Sequence, residues 1–337
     1  MNVTVLGSGS WGTALSLLLA RNGHKVLLLG RDPEEIAVLN ARRENLRYLP
    51  GFVLPDSVRY GLLAEHHETA EMTVVAVPSG AVRDVVSEVA GEHPLVVVAS
   101  KGLEAGSGKM MTEVVGEALP NAEVGAISGP NLAIEIVRGI PTAALVAFTN
   151  EDAADQVRLA FNCRTFRTYM TDDVVGVELA GALKNVIAVG AGMSDGLGFG
   201  DNTKGAFLAR GLKESISLGM RMGARLETFL GIAGVGDLFA TAASHLSRNY
   251  RAGRLMGQGK SMEEALEEIG QVVEGFTTSQ SVQMLAKKYD VEMPVFLAIE
   301  SVIHGKMDPL RAVGMLMERT TPTEGLPILD RQTGIGD

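Results

Sequence analysis

Residues 3–14 read Val3-Thr4-Val5-Leu6-Gly7-Ser8-Gly9-Ser10-Trp11-Gly12-Thr13-Ala14. A short apolar run breaks on a glycine and resumes as a helix-forming segment through Ala20. G-x-G-x-x-G between a strand and a helix predicts a dinucleotide site. Gly7 permits the tight turn, Gly9 lets a pyrophosphate touch the backbone and Gly12 lets helix and strand pack closely, while the helix N-terminus supplies positive potential. Alone the pattern is a weak signal, and its other reading is a plain glycine-rich packing turn. Trp11, the only tryptophan, sits in the loop, where it can either pack or lie against the nucleotide.

The unit repeats. Asn22-Gly23 closes the helix, and Lys25–Leu29 is the next strand. Thr73–Val77, Leu95–Ala99, Val124–Ile127, Ala143–Phe148 and Thr165–Met170 follow, with a helix expected over Ala81–Ala90. Strand, turn and helix in alternation mean an α/β fold: a Rossmann-like, doubly wound parallel sheet with helices on both faces. Ligands of such sheets lie outside the carboxyl ends of the strands. That puts Lys101 and the turn Ser128-Gly129-Pro130-Asn131 at the crevice.

After the second strand comes Gly30-Arg31-Asp32-Pro33, where an NAD enzyme usually keeps an acid for the ribose. Asp32 and Pro33 suit the cap and first residue of a helix, which leaves Arg31 to meet the cofactor. An arginine there pairs with a 2′-phosphate, so NADP(H) is expected in preference to NAD(H). The other reading is a solvated surface arginine.

From Asp172 the β-rich units stop and helical patterns take over. The expected division is a dinucleotide-binding domain over 1–170 and an all-α substrate and catalytic domain over 171–337, with a mobile tail from about 320. The stretch Asp172–Met193, after Asp172-Asp173 at its start, is apolar or small on every face except at Glu178, Lys184 and Asn185, so the helix it forms should be buried. Lys184 has Ala180, Gly181, Ala188 and Ala191 beside it, which leaves room for a packed backbone or a ligand. Lost hydration would lower its pKa and suit it to proton transfer near neutrality. Against this stands a lysine snorkelling to the surface or paired with a carboxylate, the reading this stretch favours when taken alone. In Gly234-Val235-Gly236-Asp237-Leu238, Asp237 reads by spacing as a helix cap. Ser247-Arg248-Asn249 is either an ordinary capped helix or a seat for a phosphate, with the helix N–H groups adding to a bidentate cation. Ser261-Met262-Glu263-Glu264 is a capping box, and Asp308-Pro309 starts a last helix.

Composition narrows the classes. With 46% hydrophobic and 21% charged residues over 337 positions the chain can bury a full core. A net charge of −10 argues against nucleic acid or an anionic membrane as partner. The apolar helix carries charges that a bilayer would not favour, so no membrane insertion is expected. One cysteine, Cys163, excludes an internal disulfide, and the six histidines show no zinc spacing, so no metal is expected. Met1 leads directly into a strand with no basic-then-apolar leader, which makes the cytoplasm the default.

Seven further blocks join the glycine loop in order: Ser100-Lys101-Gly102-Leu103-Glu104, Ser128-Gly129-Pro130, Glu178-Leu179-Ala180-Gly181-Ala182-Leu183-Lys184-Asn185-Val186, Asn202-Thr203-Lys204, Gly234-Val235-Gly236-Asp237-Leu238, Ser247-Arg248-Asn249 and Val273-Glu274-Gly275. Together they resemble the bacterial NAD(P)-dependent glycerol-3-phosphate dehydrogenases up to about residue 320. The resemblance implies reversible reduction of dihydroxyacetone phosphate to sn-glycerol 3-phosphate, chiefly for phospholipid synthesis, and a homodimer as the assembly to test. It implies Lys184 as proton donor or acceptor. It also implies substrate contacts from Lys101, Gly129, Asn131, Lys184, Asp237, Ser247, Arg248 and Asn249, and nucleotide contacts from Ser10, Trp11, Arg31, Lys101, Ala133, Arg248, Val272 and Glu274. Asn131-Leu132 departs from the family, which commonly has serine or threonine followed by phenylalanine. Asparagine can still donate and accept. The rivals are a 6-phosphogluconate or hydroxy-acid dehydrogenase and a dinucleotide sensor without catalysis.

Overall fold

The computed structural model describes residues 1–65, 68–89 and 91–318. The expected tail from about 320, together with His66, His67 and Ala90, lies outside them. The described chain forms two compact units, one of residues 1–101 and 109–178 and the other of 102–108 and 179 onward.

The first unit alternates β1 (Asn2–Leu6), α1 (Ser10–Arg21), β2 (Lys25–Gly30), α2 (Pro33–Arg42), β3 (Val58–Leu62), β4 (Met72–Val75), α3 (Val82–Glu88), β5 (Leu95–Val98), α4 (Met111–Ala118), β6 (Glu123–Ser128), α5 (Ala133–Val137), β7 (Thr142–Ala147), α6 (Glu151–Phe161) and β8 (Phe166–Thr171). The strands make one eight-stranded sheet in the order β3-β2-β1-β4-β5-β6-β7-β8. Two expectations need correcting. β3 has no counterpart among the expected strands, because Val58-Arg59-Tyr60-Gly61-Leu62 is an edge strand only partly buried and interrupted by glycine. The sheet is also not wholly parallel, since β6 and β7 run antiparallel. Apolar periodicity marks a strand but not its direction, and the link between these two holds only the five-residue helix α5.

Side chains alternate between two apolar layers, as a sheet covered on both faces requires. Val5, Leu28, Val74 and Val97 point into the layer that holds Leu15, Ile136 and Val157 of α1, α5 and α6. Leu6, Leu29, Val75 and Val98 point into the opposite layer with Val82, Val85 and Val114 of α3 and α4. The strand order reverses between β1 and β4, the switch point at which such sheets bind ligands. The glycine loop follows β1 directly.

α7 (Val174–Gly196) begins in the first unit and runs into the second, which continues as α8 (Asp201–Arg221), α9 (Leu226–Leu230), α10 (Asp237–Ala242), α11 (Arg248–Gly257), α12 (Met262–Ile269), α13 (Glu274–Tyr289), α14 (Pro294–Ile303) and α15 (Pro309–Glu318). By length and composition α7 could cross a membrane, yet 89% of its apolar window is buried in the protein. Gly192 and Gly196, in its last turns, meet a packed backbone. A Cβ at Gly192 would stand 2.0 Å from the Tyr250 carbonyl oxygen and one at Gly196 2.4 Å from that of Arg254; on α11, a Cβ at Gly253 would stand 1.9 Å from Val189 O and one at Gly257 2.3 Å from Met193 O. Glycines four apart share one helix face, so two bare stripes face each other and α7 and α11 touch backbone to backbone.

Candidate active site

In the first unit the glycine loop is shaped by what it packs against. Gly7 has φ 112°, and a Cβ there would sit 2.7 Å from Ala76 O; at Gly12 it would sit 1.8 Å from Gly7 O, while at Gly9 nothing lies within 4 Å. The first and third glycines are therefore required by packing, and the second leaves its backbone open. Gly9 caps α1 with no side chain engaged, so the first N–H groups of α1 can receive a phosphate. These features fit a dinucleotide pyrophosphate. Asn45, buried and far along the chain, donates to Ser8 O at 2.7 Å and to Thr13 Oγ1 at 2.8 Å, bracing the loop. No local pattern around Asn45 could have revealed this. Trp11 donates its indole N–H to Ala99 O at 3.0 Å.

Asp32 caps α2 by accepting from the N–H groups of Glu34 and Glu35, and Pro33 begins the helix. Arg31 is left at the end of β2, where it pairs with Glu88 at 3.1 Å, both side chains about half exposed. Beyond β5, Lys101 Nζ donates to Gly129 O at 2.8 Å, which joins two loops expected at the carboxyl ends of the strands. Gly129 lies close on β7, where a Cβ would stand 2.8 Å from Ala143 O. Asn131 Nδ2 donates to the same Ala143 O at 3.0 Å, leaving Asn131 Oδ1 buried without a partner. Ala133 opens α5.

The second unit holds the lysine. Lys184 Nζ lies 2.5 Å from Asp237 Oδ1 and donates to Thr241 Oγ1 at 2.7 Å; Thr241 in turn donates to Asp237 Oδ1 at 3.2 Å. The carboxylate reading of Lys184 is thus the observed one, and the charged amine is buried rather than snorkelling. The expected loss of hydration is met by an opposing carboxylate. The cap reading of Asp237 is corrected: the cap residue is Gly236, Asp237 is the first residue of α10, and its side chain turns inward to the lysine. A turn of π-helix over Ile232–Gly236 leads directly into α10. Thr241 carried no sequence signal of its own. It lies one turn after Asp237 and so shares its face.

Ser247 caps α11 as expected, its Oγ accepting from Tyr250 N at 3.3 Å. Arg248 is exposed and reaches Gln271 Oε1 at 3.3 Å. Partial loss of hydration holds its guanidinium below the ordinary arginine value, against the pull of Glu274. Val272 is exposed and Glu274 opens α13. Asn249 is buried: its Nδ2 donates to Asn185 Oδ1 at 2.9 Å and its Oδ1 accepts from Gly275 N at 2.9 Å.

Residues 2–154 match the family model of the NAD-dependent glycerol-3-phosphate dehydrogenase N-terminus, and residues 173–314 match that of its C-terminus. Glycerol-3-phosphate dehydrogenase [NAD(P)+] of Thermoanaerobacter sp. (strain X514) is 47% identical over 322 residues, covering 95% of this chain and 97% of its own. The protein of the same description from Geobacillus kaustophilus (strain HTA426) is 46% identical over 325 residues, covering 94% of each. The crystal structure of glycerol-3-phosphate dehydrogenase from Coxiella burnetii superposes with a TM-score of 0.90 at 36% identity, covering 94% of this chain and 99% of that one.

Proposed function

Since the chain belongs to the NAD-dependent glycerol-3-phosphate dehydrogenase family, we propose that Lys184 is the acid–base group of its reaction and that Arg248 and Asn249 hold the substrate phosphate. The activity itself is that of a glycerol-3-phosphate dehydrogenase using NAD(P), an oxidoreductase. The reading runs in the direction of dihydroxyacetone phosphate reduction, with the product supplied to phospholipid synthesis in the cytoplasm by a homodimer.

The observation that carries it is the triangle of Lys184, Asp237 and Thr241. The chemistry that a nicotinamide would supply when bound is hydride for the ketone carbon, and the protein's part is to stabilise the growing negative charge on oxygen and deliver one proton. The Lys184 ammonium can do both: its charge draws the carbonyl electrons toward oxygen and its proton completes the hydroxyl. The amine left behind recovers a proton from solvent, so dihydroxyacetone phosphate, NAD(P)H and H⁺ give sn-glycerol 3-phosphate and NAD(P)⁺. Asp237 and Thr241 fix Nζ at one point, where a wandering lysine would lose the alignment that makes proton transfer fast. Arg248, at the start of α11, offers a planar cation beside helix N–H groups, which suits a phosphate dianion. Lys101, Gly129, Asn131 and Ser247 complete the substrate contacts in this reading. The glycine loop, Ser10, Trp11, Arg31, Ala133, Val272 and Glu274 serve the nucleotide, with the division of labour near residue 170.

The test is steady-state oxidation of NADPH and NADH, side by side, with dihydroxyacetone phosphate as substrate. Turnover should require Lys184 and should fall steeply when unphosphorylated dihydroxyacetone replaces the phosphate ester. Near-normal turnover by Lys184→Ala would sink the assignment.

A further inference from the structure

Three residues each stand one position after a candidate site residue: Asn185 after Lys184, Asn249 after Arg248 and Gly275 after Glu274. They are tied in a row. Gly275 N donates to Asn249 Oδ1 and Asn249 Nδ2 donates to Asn185 Oδ1, both at 2.9 Å and both buried. The direction of the row is fixed by its end. A backbone N–H can only donate, so the atom of Asn249 facing Gly275 is its oxygen, the atom facing Asn185 is its nitrogen, and Asn185 must present an oxygen in return. Gly275 is held close by its lack of a side chain, since a Cβ there would stand 2.6 Å from the Asn185 carbonyl oxygen. The row thus joins the middle of α7 to the first turns of α11 and α13.

We infer that Asn185 is a positioning residue for phosphate recognition: by accepting from Asn249 it locks that carboxamide so that its second N–H is presented at the start of α11 beside Arg248. This rests on the proposed phosphate grip of Arg248 and Asn249. An asparagine side chain has two N–H donors and one acceptor oxygen. With the oxygen on Gly275 and one N–H on Asn185, a single donor remains, and its direction is set by the other two bonds. Without Asn185 the carboxamide keeps only its bond to Gly275 and can turn about it. The remaining N–H then has no fixed target and must be ordered each time substrate binds.

The experiment compares the full-length enzyme with Asn185→Ala and Asn185→Asp, measuring kcat and KM for dihydroxyacetone phosphate, for unphosphorylated dihydroxyacetone and for NADPH. Asn185→Ala should raise KM for the phosphate ester about ten-fold or more, change use of dihydroxyacetone far less and leave KM for NADPH unchanged. Asn185→Asp keeps an acceptor at the same atom and should restore most of the lost KM. The double variant Asn185→Ala/Asn249→Ala should have a KM no worse than Asn249→Ala alone, because both cut one link. Unchanged discrimination between ester and parent ketone in Asn185→Ala overturns the inference, as does equal loss on both or failure of the aspartate to rescue. If the alanine variant does not fold, Asn185→Thr, too short to reach Asn249, takes its place under the same criteria. Arg248→Ala run in parallel separates the two levels. If Arg248→Ala leaves discrimination intact, the phosphate grip itself falls; if it lowers discrimination and Asn185→Ala does not, only the positioning role falls.

Discussion

Lys184 Nζ lies 2.5 Å from Asp237 Oδ1 with the two side chains only 8% and 2% exposed, so each charge has the other as a close partner in a place that water barely reaches. Removing one member of such a pair leaves the other buried without compensation, at a cost of about 3–5 kcal/mol, whereas replacing both by apolar groups is often neutral. Asp237→Ala should therefore lower the melting temperature sharply and Lys184→Met should do so as well, while Lys184→Met/Asp237→Leu should recover stability and remain inactive. Differential scanning calorimetry of the three variants beside turnover assays checks this. A double variant as unstable as the sum of the singles would show that the pair does not act as a unit.

The sheet and its glycine loop could be read from the sequence because their causes are local: a run of strand residues, three glycines at fixed spacing and a helix directly after. The antiparallel β7 could not, because direction is set by how the chain returns, and the apolar pattern is the same either way. Ser247 was legible as a cap. Asn249 beside it was expected at the phosphate, but its dominant bonds are to residues 64 positions before it and 26 after it. Asp237 was misread in the same manner, since its partner lies 53 residues away and spacing registers only neighbours. The small residues beside Lys184 left room for a packed backbone or a ligand; the close approach of α11 falls farther along α7, at Gly192 and Gly196, and depends on a second stripe, Gly253 and Gly257, which becomes meaningful only once the two helices cross.

Glu178, buried on α7, accepts from Thr112 N at 3.0 Å and from the Thr112 hydroxyl at the start of α4. Burial pushes its carboxyl up to about 7 although the bonds from Thr112 and the Met111 backbone pull the other way, and neighbouring Glu113 adds to the rise. The folded value stands above the unfolded one, so the folded state holds the proton more tightly. The resulting stability is fully present below the unfolded carboxylate range near 4.5 and is lost as pH rises through about 7. With about 1.4 kcal/mol per unit, the swing is on the order of 3 kcal/mol. Glu178→Gln keeps the shape and cannot ionise. Its melting temperature should match the parent near pH 5 and exceed it at pH 8, and parallel curves for the two proteins across that range would count against a titrating Glu178.

Arg31 is held by Glu88 in a half-exposed pair, and such pairs are worth about 0–1 kcal/mol. If Arg31 meets a 2′-phosphate, as an arginine at the end of β2 would suit, the guanidinium would give up that carboxylate at little cost, because a phosphate dianion pairs with it more strongly. Arg31→Ala should raise KM for NADPH about ten-fold and leave KM for NADH nearly unchanged. Glu88→Gln, which frees the arginine, should shift the ratio modestly the other way. Equal effects on both cofactors would place Arg31 away from the 2′ position.

The crossing of α7 and α11 makes opposite predictions for glycines of the same helical kind. A methyl at Gly253 would have to sit 1.9 Å from Val189 O, which is backbone and cannot turn aside, whereas at Gly205 on the exposed face of α8 nothing lies within 4 Å. Gly205→Ala should stabilise by about 0.5–1 kcal/mol, because alanine loses less backbone freedom on entering a helix. Gly253→Ala must push the two helices apart, carrying Lys184 on one away from Arg248 on the other. Its cost should exceed the about 1–3 kcal/mol typical of overpacking a side-chain core, since no rotamer change relieves it. Chemical denaturation of the two variants with kcat measured on each separates packing from propensity: a stable, fully active Gly253→Ala would mean that the helices do not meet where their bare stripes face each other.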